Sequence, residues 1–204
     1  ILAEMEREGI GVSRKALKAL GEEIDARLAT LTKQIYNAAG DEFNINSPKQ
    51  LGEILFEKLG LKAWRKTSGG QRSTSAETLE MLRDLHPIIP LVLNYREDFK
   101  IKSTYVDPLG ELLDTEGRLH TEFVQTGTGT GRLSSRAPNL QNIPQESVWA
   151  PALRRAFVAR PGHSFISFDY SQIELRIMAS FSGDQSMQDA FQKNIDVHTL
   201  TASK

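Results

Sequence analysis

Asp169 and Glu174 are the residues most able to do chemistry. They lie in the stretch Ser164-Phe165-Ile166-Ser167-Phe168-Asp169-Tyr170-Ser171-Gln172-Ile173-Glu174-Leu175-Arg176. Phe165, Ile166 and Phe168 make a compact apolar run, bounded upstream by Pro161-Gly162. That pattern predicts a short buried strand ending at Asp169. Ser171 and Glu174 have the spacing of a capping box, which predicts a helix starting just after Tyr170. Ile173, Ile177 and Phe181 continue it at helical spacing, and Gly183 predicts its stop. A carboxylate at the end of a buried strand is costly unless something positive meets it. A divalent metal is a natural partner, and Mg²⁺ favours hard oxygen ligands completed by substrate phosphates. Equally, Asp169 could cap the following helix while Glu174 completes the box. The spacing leaves both open.

Other residue groups suit phosphate or nucleic acid. Thr126-Gly127-Thr128-Gly129-Thr130-Gly131-Arg132 alternates glycines with hydroxyl donors and ends on a guanidinium. It matches neither a dinucleotide fingerprint nor a P-loop. From Lys62 to Ala76 there is no acidic residue, while Lys62, Arg65, Lys66 and Arg72 sit among hydroxyls that include Ser73. This predicts a basic loop able to contact phosphate, or simply a solvated one. Asn44 and Asn46 precede Ser47-Pro48, a strong helix start whose backbone N–H groups favour phosphate. Ordinary turn asparagines fit the same spacing. Lys100 and Lys102 end a helix, where the dipole favours cations in any case. Asp196 predicts an N-cap for a last helix that carries His198.

The elements that must position these groups are mostly helical at first. Leu2 and Met5 predict a helix end, punctuated by Gly9 and Gly11. Ser13 predicts an N-cap. Leu17, Leu20, Ile24, Leu28, Leu31, Ile35 and Ala38 then predict one long amphipathic helix stopped near Gly40. Leu51, Leu55 and Leu59 mark another helix, ended by Gly60. A helix is expected from Ala76 to Leu85, with Thr74 and Glu77 as its box. Beyond Pro87, a second turns Ile88, Leu91, Val92, Tyr95 and Phe99 inward, with Arg96 along its later turns. From Pro108 the pattern changes to strand and turn. Asp114–Gly117 reads as a turn, and Leu119, Thr121 and Phe123 alternate with polar neighbours. Arg154–Ala159 reads as a strand, Pro161-Gly162 as a type II turn, and Asp184 as a helix start.

The 204 residues allow one large domain or two small ones. With 39% apolar residues they can build a core. The net charge of −1 means that any nucleic-acid surface must be local. The absence of Cys excludes a disulfide framework and thiolate-bound zinc, and fits a cytoplasmic setting. No apolar run reaches membrane-spanning length. The chain opens at Ile1 without an initiating Met and closes at Lys204 within an expected helix, so both ends look cut from something longer.

Asp169-Tyr170-Ser171-Gln172-Ile173-Glu174-Leu175-Arg176 resembles the first metal-binding motif of family A DNA polymerases, the bacterial DNA polymerase I group. The resemblance runs through the whole chain. The Thr126–Ser135 and Pro138–Pro144 segments are similar to a second motif of that family, and Asp196-Val197-His198-Thr199 to a third. It implies an α+β fold. A helical thumb over residues 1–106 would be followed by part of an antiparallel palm sheet with flanking helices over 107–204. It implies primer extension on a DNA template by two-metal nucleotidyl transfer, with dNTP and primer–template DNA as partners, two Mg²⁺ ions, and a monomeric protein away from membranes. Asp169, Glu174 and His198 become the expected catalytic residues. Asp169, with the Tyr170 carbonyl, becomes the metal ligand set. Gln172, Glu174 and His198 border the nucleotide, and Glu174 excludes a 2′-hydroxyl. Asn44, Asn46, Ser47, Arg72, Ser73, Lys100 and Lys102 face the DNA backbone. Arg132, Asn139, Gln141 and Asn142 follow the minor groove, whose nearly degenerate acceptors suit donors that check pair shape rather than sequence.

The departure from the family lies beyond Lys204, where its triphosphate-holding helix and second carboxylate would come. The resemblance therefore implies a fragment that does not polymerise alone. Two other functions compete: a non-catalytic duplex-DNA-binding module, and a different metal-dependent phosphotransferase. The second would need further clustered carboxylates, and the sequence shows no second acidic motif at a strand end.

Overall fold

The computed structural model describes residues 1–62, 70 and 72–202. Arg65, Lys66, Thr67, Ser68 and Gly69 of the expected basic loop lie outside the described residues. The chain forms two compact units, Ile1–His163 and Ser164–Lys204.

The first unit opens with helix α1 (Leu2–Glu8) and strand β1 (Ile10–Val12). Helix α2 (Arg14–Ala39) begins at Ser13, whose Oγ accepts from the Ala16 N–H at 3.2 Å. It stops at Gly40, which is left-handed at φ 63. Its 26 residues run about 39 Å, and the two ends serve different cores. Leu17, Leu20 and Ile24 join one cluster with Ile101, Leu119 and Leu153. Ile35 and Ala39 join another with Leu51, Leu55, Leu82 and Val92. Each fully buried Leu or Ile contributes roughly 1.5–3 kcal/mol.

Helix α3 (Pro48–Gly52) starts at Ser47 as expected and widens into a π-helical stretch over Glu53–Lys58. Helix α4 (Ala76–Glu80) is shorter than its apolar spacing predicts, and its cap is Ser75 rather than Thr74. Thr74 is instead buried, where its carbonyl accepts from Arg96. Helix α5 (Ile88–Ile101) continues through a π-helical stretch, Lys102–Val106, into α6 (Asp107–Glu111). On α5 the inward position is Asp98, whereas Phe99 is 39% exposed and stacks on Tyr95. The expected inward Phe99 is thereby corrected. The helical stripe can be satisfied by either neighbour, and Asp98 takes it because partners meet it there.

Strand β2 (Arg118–Leu119) follows a turn in which Asp114 Oδ1 accepts from the Glu116 and Arg118 N–H groups. Strands β3 (Glu122–Val124) and β4 (Ser134–Arg136) form an antiparallel hairpin that pairs Glu122 with Arg136 and Val124 with Ser134. The Gly-Thr segment is its loop. A Cβ at Gly127 would collide with Ser134 Oγ, so a side chain there would make that hydroxyl move. Helix α7 (Ala150–Ala156) precedes strand β5 (Phe157–Val158). The strand expected from Arg154 is therefore helical up to Ala156. Ala150, Leu153 and Ala156 are all buried, and their spacing of three puts them on one helical face. β1 pairs antiparallel with β2 (Ile10↔Leu119) and with β5 (Val12↔Phe157). A Cβ on Gly11 would come within 2.6 Å of the Val158 carbonyl, so glycine allows this central approach.

In the second unit, residues 164–170 form no strand and are exposed, Phe168 at 92%. The expected buried strand is absent because a strand needs a neighbour for its N–H and C=O groups, and none of the described residues pairs with it. Helices α8 (Ile173–Ser182), α9 (Gln185–Gln192) and α10 (Val197–Ala202) follow. Gly183 ends α8 and Asp184 caps α9, as their residue types predict. The expected Ser171–Glu174 box does not form. Gln172 is the N-cap residue, left-handed at φ 51, with no side-chain cap.

Candidate nucleotide and nucleic-acid sites

The second unit holds the residues that resemble a nucleotide site. Asp169 and Tyr170 lie exposed on the approach to α8. Non-glycine residues seldom adopt a left-handed backbone, and Gln172 does so where its amide finds a distant partner. Its Nε2 donates to Asp196 Oδ1 at 2.9 Å. Asp196 in turn caps α10, accepting from the Thr199 hydroxyl at 2.8 Å and its N–H at 3.1 Å. The Thr199 hydroxyl and then the Gln172 amide hold its carboxyl down to about 2. His198 donates its backbone N–H toward the same carboxylate at 3.4 Å. One carboxylate thus ties the start of α8 to the start of α10 and gathers Gln172 and His198. Glu174 is exposed on the first turn of α8, where the helix dipole favours an acid. Arg176 braces the turn: its Nε donates to the Ser171 carbonyl at 2.9 Å, and its guanidinium lies 4.6 Å from the Phe191 ring centre. Among the described residues, no three His, Asp or Glu side chains converge to form a metal cage.

The first unit holds the residues expected to meet DNA. Asn44 Oδ1 accepts from the Asn46 N–H at 3.0 Å, and Asn46 Nδ2 donates to Tyr95 Oη at 3.2 Å. Ser47 Oγ is engaged as the α3 cap. Ser73 Oγ lies 3.2 Å from the hydroxyls of Ser75 and Thr78. Arg72 is exposed, its guanidinium 5.8 Å from the Phe56 ring centre. Lys100 is exposed. Lys102 is held between Asp107, at 2.7 Å, and Asp25, at 3.5 Å. The Asp107 hydrogen bond pushes its pKa up. Asp107 follows five residues on in the same helical run, whereas Asp25 sits on another helix and is not legible in the sequence.

Around the β3–β4 hairpin the structure does gather the expected group. Thr128 Oγ1 donates to the Arg132 carbonyl at 2.7 Å, which folds the loop. Gln141 Nε2 donates to the Leu133 carbonyl at 3.0 Å, beside the exposed Arg132. Asn139 Oδ1 accepts from Ser135 Oγ at 3.3 Å and from the Gln141 N–H at 3.1 Å. Asn142 presents an exposed side chain, while its carbonyl accepts from Tyr105 Oη at 2.5 Å.

Residues 14–204 match the family model described as DNA polymerase family A. The chain belongs to that family. Among family A relatives it is 49% identical to the thermostable DNA polymerase I of Thermus aquaticus, over all of this chain and 25% of that protein. It is also 49% identical to DNA polymerase I of Lactococcus lactis, over all of this chain and 23% of that protein. The POL domain of Pol1 from M. smegmatis, solved in complex with DNA primer-template and dNTP, superposes with a TM-score of 0.90 at 39% identity. The match covers 99% of this chain and 36% of that one. The chain thus spans about a quarter of the length of the curated family A relatives it matches. Its mixture of helices with small antiparallel sheets is the expected α+β class. No helix among the described residues is long and apolar enough to cross a membrane.

Proposed function

We propose that the chain is part of a DNA-directed DNA polymerase that adds deoxynucleotides to a primer 3′ end on a DNA template. The observation that carries this reading is the superposition of nearly the whole chain on a polymerase domain solved with DNA primer-template and dNTP. Residues 1–106 are read as thumb and 107–204 as the first part of the palm. The helical run from Ile88 to Glu111 passes through that boundary.

In this reading Asp169 contributes a carboxylate, and Tyr170 its main-chain carbonyl, to divalent cation binding. These are hard oxygen donors on adjacent exposed residues, and they fit Mg²⁺ in type. Two ions bound in the complete enzyme would neutralise triphosphate charge and activate the attacking hydroxyl. Gln172 and His198, gathered by Asp196, border the nucleotide. Glu174 excludes a 2′-hydroxyl by occupying its place. Arg132, Asn139, Gln141 and Asn142 donate to the minor groove. Asn44, Asn46, Ser47, Arg72, Ser73, Lys100 and Lys102 supply the backbone-facing surface. Asp169 is a single carboxylate and two-metal transfer needs more than one, so the isolated chain is expected not to polymerise.

The test is Asp169→Ala in the complete polymerase. Metal-dependent primer extension should disappear while circular dichroism and melting stay unchanged. Full extension by that variant would overturn the assignment.

A further inference from the structure

Asp98 sits on α5 with its side chain fully buried, at 0% exposure. Oδ1 accepts from the indole Nε1–H of Trp149 at 2.7 Å. Oδ2 lies 2.9 Å from Arg27 Nε on α2, yet accepts no well-aligned hydrogen bond. The Arg27 guanidinium is also 5.5 Å from the Trp149 ring centre. Three parts of the first unit meet here: α2, α5, and the residue just before α7. Apolar side chains of similar volume would often stabilise such a site as well or better. What the polar cluster adds is direction, because hydrogen bonds fix the indole's orientation where packing alone would tolerate several.

The residues from Ile143 to Trp149 have no strand or helix of their own. Ile143 and Trp149 pack with the first apolar cluster, and side-chain anchors to one helical run add to that packing. Tyr105 Oη donates to the Asn142 carbonyl at 2.5 Å, Glu97 Oε1 accepts from the Val148 N–H at 3.3 Å, and Asp98 holds Trp149. Asn139, Gln141 and Asn142 lie immediately before this stretch and are held by Ser135, the Leu133 carbonyl and Tyr105. We infer that Asp98 is a positioning residue for primer–template binding: through Trp149 it fixes the far end of the irregular stretch whose near end, Asn139–Asn142, is tied by Tyr105. This inference rests on the polymerase reading above. The cluster touches no DNA itself and acts through the segment it holds.

The test uses the complete polymerase with Asp98→Asn, Trp149→Phe and the double variant. Each single change should raise the Kd for a primer–template duplex roughly fivefold at fixed salt, the equivalent of one buried hydrogen bond. Single-turnover incorporation at saturating DNA should stay within about twofold of the parent. The double variant should bind no worse than the weaker single, because both act on one linkage: Asp98→Asn removes the carboxylate charge and leaves a weaker amide acceptor, and Trp149→Phe removes the donor. A merely structural cluster would lower the melting temperature and leave Kd unchanged, and that result overturns the inference. If Asp98→Asn does not fold, Trp149→Phe decides alone: it keeps an aromatic ring but deletes the N–H donor and part of the buried indole's volume, so its Kd is read against its own melting temperature. A parent polymerase that fails to extend primers would remove the polymerase reading itself. A parent that extends, with Trp149→Phe binding DNA as tightly, would remove only the role of Asp98.

Discussion

His120 shows how much one side chain's surroundings decide. Its Nδ1 lies 2.8 Å from the Glu6 carbonyl and its Nε2 lies 3.0 Å from Asp114 Oδ2. Neutral imidazole has one N–H, so only the protonated ring can donate to both acceptors. The Asp114 hydrogen bond, followed by that to Glu6, raises its pKa. Asp114 is lowered in turn, first by the Arg118 N–H and then by His120. The signs follow by linkage. His120 contributes stability that is fully present below the ordinary imidazole value of about 6.5 and is lost as pH rises through its higher folded value. Asp114 contributes stability that is lost as pH falls through its depressed one. The chain should therefore melt lower as pH climbs past neutrality, and His120→Gln should flatten that limb. NMR titration of the ring checks it directly, and a midpoint at or below the ordinary value would contradict the double-donor geometry. Glu174 supports a second expectation, conditional on the polymerase reading. Removing its carboxylate in Glu174→Ala opens the space assigned to a 2′-hydroxyl. Ribonucleotide incorporation relative to deoxyribonucleotide should rise roughly tenfold or more, the scale of a lost steric discrimination. Competition assays in the complete polymerase measure it, and unchanged sugar selectivity would remove the gate.

Helix starts dominate at the scale of elements. Ser13 closes the first turn of α2, the helix shared by both apolar clusters. Ser13→Ala should cost about 1 kcal/mol and lower melting by about 2–4 °C for a chain of this size. A shift within error would mean that packing alone sets the end of α2. Caps of this kind explain why so much was readable in advance. Ser13, Ser47, Asp184 and Asp196 each bond an N–H within three residues, so type and spacing suffice. What was not readable depends on partners far along the chain. Arg154–Ala156 could alternate as a strand, and only the buried Ala150–Leu153–Ala156 face makes it helix. Ser171 and Glu174 had the right spacing for a box, but Gln172 turns left-handed and reaches Asp196 instead. Spacing pointed Phe99 inward, and the burial of Asp98 beside it was not readable because its partner Trp149 is 51 residues away. Within the site, the sequence pointed to the α10 cap at Asp196, but not to the bond that joins it to Gln172.

At the scale of the whole chain, the second unit presents an unusual amount of apolar surface. Ile166, within the segment expected to be a strand, is 76% exposed, and Phe181, near the end of α8, is 88% exposed. A run with high strand propensity but no neighbouring strand keeps its backbone groups in water and its side chains exposed. The first unit has two apolar clusters of its own. The 204-residue chain by itself should therefore be cut by protease within residues 164–170, leaving a resistant fragment that ends near His163, and it should bind a hydrophobic dye. Under the polymerase reading, the same bonds should resist cleavage in the longer protein, because a strand-forming run paired with neighbours is protected. Mass spectrometry of limited digests of both proteins separates the possibilities. Equal resistance in the two would show that residues 164–170 are already ordered without partners, and the missing strand would then need another cause.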